Sequence, residues 1–262
     1  MQAGPYEIDI VVQGYPGKSV CHGGLGWSTI ALIRGAGRIA LVDVGSFSQR
    51  GPIRERLGVR GLSPEQVTDV ILTHSHWDHS VNWVLFPNAT VWIGAEELAW
   101  SVAQPWGHTT VPELYVRELD GSPRCRRLRP GDEILPGMVA DTAPGHTPGH
   151  LFFVLSTPAH DILFTGDSAK NRAELLSLTA DMTYDQAQSR RSMEKIWETW
   201  RRRPGTILIP GHDVPMRLEN DMPVYIGPRE AAISAWFEDD LERTTLFSLT
   251  LPAPAAARTA AE

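Results

Sequence analysis

The sequence predicts a single α+β domain in which two β-sheets pack face to face under helices on both outer faces. Three observations predict it. Strand-like runs occur in both halves of the chain, helix-like runs separate them, and no linker-like stretch divides the halves. Residues 1–250 are expected to form this domain. The Pro/Ala-rich end, 251–262, is expected to be a flexible tail.

The first half opens with β-branched, apolar runs at Tyr6–Gly14, Trp27–Gly35 and Arg38–Gly45, broken by Gly-rich turns. "GAG" (Gly35–Gly37) marks a tight hairpin between the second and third. A short helix is expected at Pro52–Leu57, strands at Thr68–Thr73 and Asn88–Gly94, and a helix at Ala95–Ala103. In the second half, strands are expected at Gly137–Pro144, His150–Ser156, His160–Asp167 and Thr206–His212. The strongest helix signal spans Tyr184–Arg203, where Ala187, Met193, Ile196, Trp197 and Trp200 recur at helical spacing and mark a core face. Arg201–Arg203 fall at its C-terminus, where cations complement the helix dipole. Gly227–Thr244, with Pro228 near its start, reads as a closing helix.

Composition narrows the function classes. At 262 residues the chain can bury a sizeable core. A net charge of −7 and a pI near 5.7 argue against a broad nucleic-acid or anionic-membrane surface. Cys21 and Cys125 lie far apart and form no CxxC pair, so two free thiols are expected. The N-terminal stretch lacks a basic segment followed by an apolar one, and no apolar run approaches the ~20 residues that span a bilayer. A cytoplasmic protein with no membrane partner is the expectation.

The stretch that carries chemistry is "THSHWDHSVN", Thr73–Asn82. Three of the nine histidines fall within six residues there, with an aspartate among them. Imidazole and carboxylate are the usual ligands of zinc and similar ions. His74 and His76, two apart beyond a strand, would point the same way in extended chain. Asp78 and His79 follow on the turn. One ion would struggle to use all four, whereas two adjacent ions could divide them. Further ligand types occur at the ends of other strands: His146 in "PGHTPGH", Asp167 in "LFTGDS" and His212 in "LIPGHD".

The series His-x-His-x-Asp-His, then His, Asp and His, resembles the metallo-β-lactamase-fold hydrolase superfamily, in order from about Ile8 to Pro215. The resemblance implies an αββα sandwich of two mixed β-sheets, with a dinuclear site on one edge. It implies that His74, His76 and His146 hold the first metal, that Asp78, His79 and His212 hold the second, and that Asp167 bridges both. The ions would be Zn²⁺, with Mn²⁺, Fe²⁺ and Co²⁺ open. Asp43 matches a position that supports the ligands from behind, where a carboxylate can fix a ligand imidazole's tautomer; it could equally be a turn former before Gly45. His150, the second histidine of its motif, is read as a residue behind the ligands.

Two such ions can hold a bridging water, lower its pKa to give hydroxide at neutral pH, and polarise a carbonyl or phosphoryl oxygen. Asp78 would orient the nucleophile and carry its proton to the leaving group. The implied reaction is metal-assisted hydrolysis of a small-molecule ester or lactone, because the chain most resembles single-domain lactonase-like members. One position departs from N-acyl-homoserine lactonases, which carry a tyrosine three residues after the bridging aspartate. Here that residue is Lys170, which could attract a substrate carboxylate, stabilise an oxyanion, or be a solvated lysine at a helix start. Trp77, Trp106, His108 and Tyr184 are pocket-wall candidates. A homodimer would fit the group.

The alternative is a phosphodiesterase or ribonuclease using the same metal site. "VVQGY" (Val11–Tyr15) and "LFPNA" (Leu85–Ala89) also resemble a short animal member linked to RNA cleavage, and "RCRRLR" (Arg124–Arg129) is a basic cluster with no helix-end explanation. An iron-dependent redox enzyme would normally bring a flavin domain. A non-catalytic binding protein is disfavoured because all seven ligand positions are filled.

Overall fold

The computed structural model describes residues 1–21 and 23–250. The tail expected at 251–262 lies outside the described residues. The chain divides into two compact units, Met1–Gly227 and Pro228–Glu262.

The first unit holds two seven-stranded sheets, each ordered as the chain runs. One comprises β1 (Gln2–Ala3), β2 (Tyr6–Val12), β3 (Ile30–Gly35), β4 (Arg38–Val42), β5 (Asp69–Ile71), β6 (Thr90–Gly94) and β7 (Cys125–Leu128). The other comprises β8 (Glu133–Leu135), β9 (Met138–Thr142), β10 (Leu151–Ser156), β11 (Asp161–Gly166), β12 (Ile207–Pro210), β13 (Met216–Glu219) and β14 (Met222–Tyr225). Both are mixed. β1 to β4 pair antiparallel and β4 to β7 parallel. In the second sheet only β11 and β12 pair parallel.

Alternation along the strands sorts side chains into three apolar layers. Ala31, Ile33, Ala40, Val42 and Ile71 from the first sheet meet Phe153, Leu155, Ile162, Phe164 and Ile209 from the second in a central core. The other face of the first sheet, with Leu32, Leu41 and Val70, packs under helices α1 (Arg50–Val59), α3 (Ala95–Val102) and α4 (Glu113–Gly121) through Ile53, Leu57, Leu98, Val116 and Leu119. The other face of the second, with Phe152, Leu163 and Leu208, packs under α5 (Arg172–Ser177) and α6 (Gln186–Arg201). Between α1 and α3 lies the single-turn helix α2 (Trp77–Ser80). The result is the expected αββα sandwich.

The helix expected at Tyr184–Arg203 is α6, whose N-cap Asp185 accepts from the Gln188 amide at 2.9 Å. Met193, Ile196, Trp197 and Trp200 are buried as expected, but Ala187 is exposed; Ser189, Ser192 and Thr199 are the other buried residues of the helix. The closing helix expected at Gly227–Thr244 is not formed. The second unit instead holds an antiparallel hairpin of β15 (Ala232–Ala235) and β16 (Thr245–Ser248). The β-branched and aromatic "AISAWF" and "TLFS" segments find each other as strand partners, and such non-local pairing overrides the local proline signal. Both cysteines are free thiols, Cys21 exposed and Cys125 buried. No helix among the described residues is long and apolar enough to cross a membrane.

Parallel neighbours end at the same edge, and this topology positions the site. The C-terminal ends of β4 and β5 in one sheet, and of β11 and β12 in the other, each carry a loop with ligand-type residues. β9 runs the same way as β11, so the "PGHTPGH" loop leaves from that edge too.

Candidate metal centre

Four loops bring seven His and Asp side chains together. His74 and His76 follow β5, Asp78 and His79 lie in α2, His146 lies between β9 and β10, Asp167 follows β11, and His212 follows β12. Three overlapping sets have ligand atoms within 4.8 Å of one another: His74, His76 and His146; His74, His79 and Asp167; Asp78, His79 and His212. His146 Nε2 lies 2.9 Å from His76 Nδ1 and 3.3 Å from Asp167 Oδ2. Asp167 Oδ1 lies 3.1 Å from His79 Nε2 and 3.2 Å from His212 Nε2. Asp78 Oδ2 completes this side, 3.3 Å from His212 Nε2. Asp167 thus turns one oxygen to each half of the cluster.

Local backbone chemistry explains why these side chains converge. Gly166, just before Asp167, has φ +48°, and a Cβ there would collide with the Thr73 side chain and with His150. Only glycine lets the end of β11 press against the first histidine loop. Asp43, at the end of β4, also has positive φ, at 53°, a conformation Asp tolerates. Its buried carboxylate accepts from the Thr73 amide at 2.9 Å and lies 2.7 Å from His79 Nδ1. It therefore orients His79 from behind and is more than a turn former. His150 Nε2 accepts from the Asp167 amide at 3.0 Å, and its Nδ1 lies 2.7 Å from Ser168 Oγ. Both nitrogens are engaged with the Asp167 turn, so His150 stands behind the cluster.

Burial pulls His76 down to about 4 and His150 to about 3. Burial, reinforced by neighbouring imidazoles, holds His74 and His146 well below the usual range. These imidazoles are neutral at pH 7, the form that binds metal. Burial opposes charge on His79 and His212 as well, but Asp167 and Asp78 outweigh it and raise both. Burial likewise opposes the Asp167 carboxylate, and His212, His79 and His146 overcome it.

The residues fit divalent ions. His74 Nε2 and Asp167 Oδ1 are buried with no hydrogen-bond partner among the described residues. Buried polar atoms are rarely left so. Lone-pair atoms of imidazole and carboxylate facing one another at these separations suit a shared cation, and this donor set is typical of zinc.

The remaining candidates fall around the cluster. Lys170 Nζ is buried and 3.2 Å from Glu174 Oε1, too poorly aligned for a hydrogen bond. Tyr184 is exposed, its amide bonded to His146 O at 3.3 Å and its ring edge-on to Trp100 at 6.0 Å. Trp100 in turn meets the His76 ring at 6.4 Å, a contact the sequence did not reveal because α3 reads as an ordinary amphipathic helix. Trp77 is 40% exposed. His108 is exposed on the loop after α3, its amide bonded locally to Pro105. Trp106 lies on the same loop, stacked under the Arg117 guanidinium at 4.5 Å.

The metallo-beta-lactamase superfamily profile matches residues 23–212. The chain belongs to that superfamily. A hydroxyacylglutathione hydrolase from Jannaschia sp. (strain CCS1) is 33% identical over 183 residues, covering 68% of this chain and 58% of the relative. Metallo-beta-lactamase domain-containing protein 1 of Mus musculus is 28% identical over 196 residues, covering 74% of this chain and 66% of the relative. The match spans less than two thirds of either. Among solved structures, AidC, a dizinc quorum-quenching lactonase bound to a homoserine product, superposes with a TM-score of 0.70 at 16% identity, over 88% of this chain and 97% of that one. This last likeness is one of fold.

Proposed function

We propose that this protein is a dinuclear metal-dependent hydrolase acting on an ester or lactone carbonyl. The observation that carries the reading is the convergence of seven His and Asp side chains into overlapping triads at one edge of the sandwich. His74, His76 and His146 would hold one ion, Asp78, His79 and His212 the other, and Asp167 would bridge them, with Zn²⁺ the expected metal. When bound, such ions supply water activation at neutral pH and polarisation of an acyl oxygen. The chain's own residues do the rest. Asp43 holds the His79 ring through Nδ1, leaving Nε2 aimed into the cluster. Asp78, partly exposed, is placed to take a proton and pass it to the leaving oxygen. Lys170 offers a cation beside the cluster for a substrate carboxylate or an oxyanion. Trp77, Tyr184 and His108 are assigned to the pocket wall.

A second acyl class has its own support. The relationship to a hydroxyacylglutathione hydrolase favours a thioester carbonyl on the same site. The phosphodiesterase reading loses one of its sequence arguments, the basic cluster, while its resemblance to a short animal member keeps the support of the Mus musculus relative. Arg124 bonds the Phe86 and Ala89 carbonyls, Arg126 bonds Pro123 and Cys125, and Arg127 pairs with Asp120. Arg126 and Arg127 decorate β7, an edge strand, where charge discourages further pairing. A homodimer and a cytoplasmic location complete the reading.

The test is a pH-stat assay of metal-replete protein against lactones, simple esters and an acylglutathione thioester, with a chelated control. Chelator-sensitive acid release establishes acyl hydrolysis, and the rate order assigns the class. No release across the panel overturns the reading and moves the search to phosphodiesters.

A further inference from the structure

Glu97, in the first turn of α3, is fully buried and plays no part in the chemistry above. Such a carboxylate needs partners, because desolvation of an unpaired charge is costly. Its partners are three donors from two loops. Oε1 accepts from the Ser75 amide at 2.9 Å and from Ser75 Oγ at 2.6 Å. Oε2 accepts from Thr147 Oγ1 at 2.7 Å. The Gly149 amide lies close enough to this carboxylate to favour its charged form as well. Burial nonetheless pushes the carboxyl up, against these hydrogen bonds.

The placement of those donors is specific. Ser75 sits between His74 and His76, and Thr147 directly follows His146. One carboxylate therefore reaches the chain beside all three histidines of the first triad. A second observation supports the same clamp. Gly149 packs so tightly on the first turn of α3 that a Cβ there would collide with the Glu97 backbone. Backbone contact and carboxylate together fix α3 against both loops. The second triad has a different support, since Asp43 is the carboxylate behind His79.

We infer that Glu97 is a positioning residue that joins the Thr73–His79 loop to the His146 loop and so sets the first metal position. The inference rests on the two-metal reading of this site. Glutamine tests it because it keeps the shape but turns an NH₂ group toward donors. Thr147 Oγ1 can reverse its role, so what glutamine removes is the negative charge of the acceptor, and with it the strength of the hydrogen bonds that reach both loops.

The experiment measures metal affinity of the full-length protein by competition with a chromogenic chelator, using Zn²⁺ as the probe. Two backgrounds separate the positions: His212→Ala disables the second, and His146→Ala disables the first. Glu97→Gln is expected to weaken the remaining ion about 10- to 100-fold in the His212→Ala background, and to change it less than about threefold in the His146→Ala background. The Co²⁺ spectrum should shift only in the first. Should Glu97→Gln not fold, Thr147→Val removes one donor to the same carboxylate and is expected to act in the same direction. Equal weakening in both backgrounds would make Glu97 a general packing group, and no weakening in either would also overturn the inference. Wild-type protein that binds no metal would instead overturn the two-metal reading itself.

Discussion

At the scale of single residues, the cluster divides into groups that face the site and groups that hold them. His76 is neutral at pH 7 through burial and sits 2.9 Å from His146, so it is poised to share an ion with it. His76→Ala is expected to abolish hydrolysis and lower Zn²⁺ stoichiometry below two per chain, with the circular dichroism spectrum preserved. Full retained activity would show the site to be misplaced. Lys170 gives a finer test. Its Nζ is buried, and among the described residues its ion pair is with the misaligned Glu174. Lys170→Met is expected to raise KM several-fold for substrates bearing a carboxylate, with less effect on neutral lactones. An equal effect on both would remove Lys170 from anion recognition and leave the ion pair with Glu174 as its role.

At the scale of elements, α6 shows how packing anchors the second sheet. Trp200 is 1% exposed, and its Nε1 donates to Thr206 O at 2.9 Å, tying the helix to the turn before β12. Its neighbour Trp197 donates to Leu175 O at 2.8 Å and so ties α6 to α5. Trp200→Ala removes a large apolar volume and a hydrogen bond together. A loss of about 3–5 kcal/mol is expected, read as a lower midpoint in chemical denaturation. A loss under about 1 kcal/mol would mean that the helix is not an integral part of the core. The basic run at the end of α6 is also accounted for at this scale. Arg201 pairs with Asp221 at 2.7 Å, and Arg203 pairs with Asp161 at 2.5 Å. Cations at the helix end, read from sequence as dipole partners, also fasten the helix to its surroundings.

At the scale of the whole molecule, all seven candidate ligands and both supporting carboxylates belong to Met1–Gly227. Removal of 228–262 is therefore expected to leave Zn²⁺ stoichiometry unchanged. A fall in stoichiometry would tie the site to the second unit. The hairpin there leaves Ile233, Trp236, Phe237, Leu241, Leu246 and Phe247 exposed. A two-stranded hairpin is marginal alone, and exposed apolar surface of this extent marks interfaces. If the protein is a homodimer through this surface, light scattering should show two chains in the full-length protein and one after truncation. A full-length monomer removes that expectation.

The longer strands were legible because alternation and β-branched runs are local signals, and the candidate ligands were legible because His and Asp crowd one short stretch and recur at strand ends. The ends of β4, β5, β11 and β12 were already visible as "LVDVG", "VILTHSH", "LFTGD" and "LIPGH". The short strands β1, β7, β8, β13 and β14, the helices α2, α4 and α5, and the hairpin in place of a closing helix were not. Each depends on pairing or packing with segments distant in sequence, and local propensity is weak beside such contacts. The supporting residues divide in the same way. Asp43 could be suspected from its place after a strand, whereas Glu97 reads as an acid in the first turn of a helix. The sequence by itself determined which side chains can bind metal and that sheets carry them to an edge. Only the tertiary structure decided which groups meet there and which carboxylates hold them in place, because hydrogen bonds from a helix to loops 22 and 50 residues away leave no periodic trace in the chain.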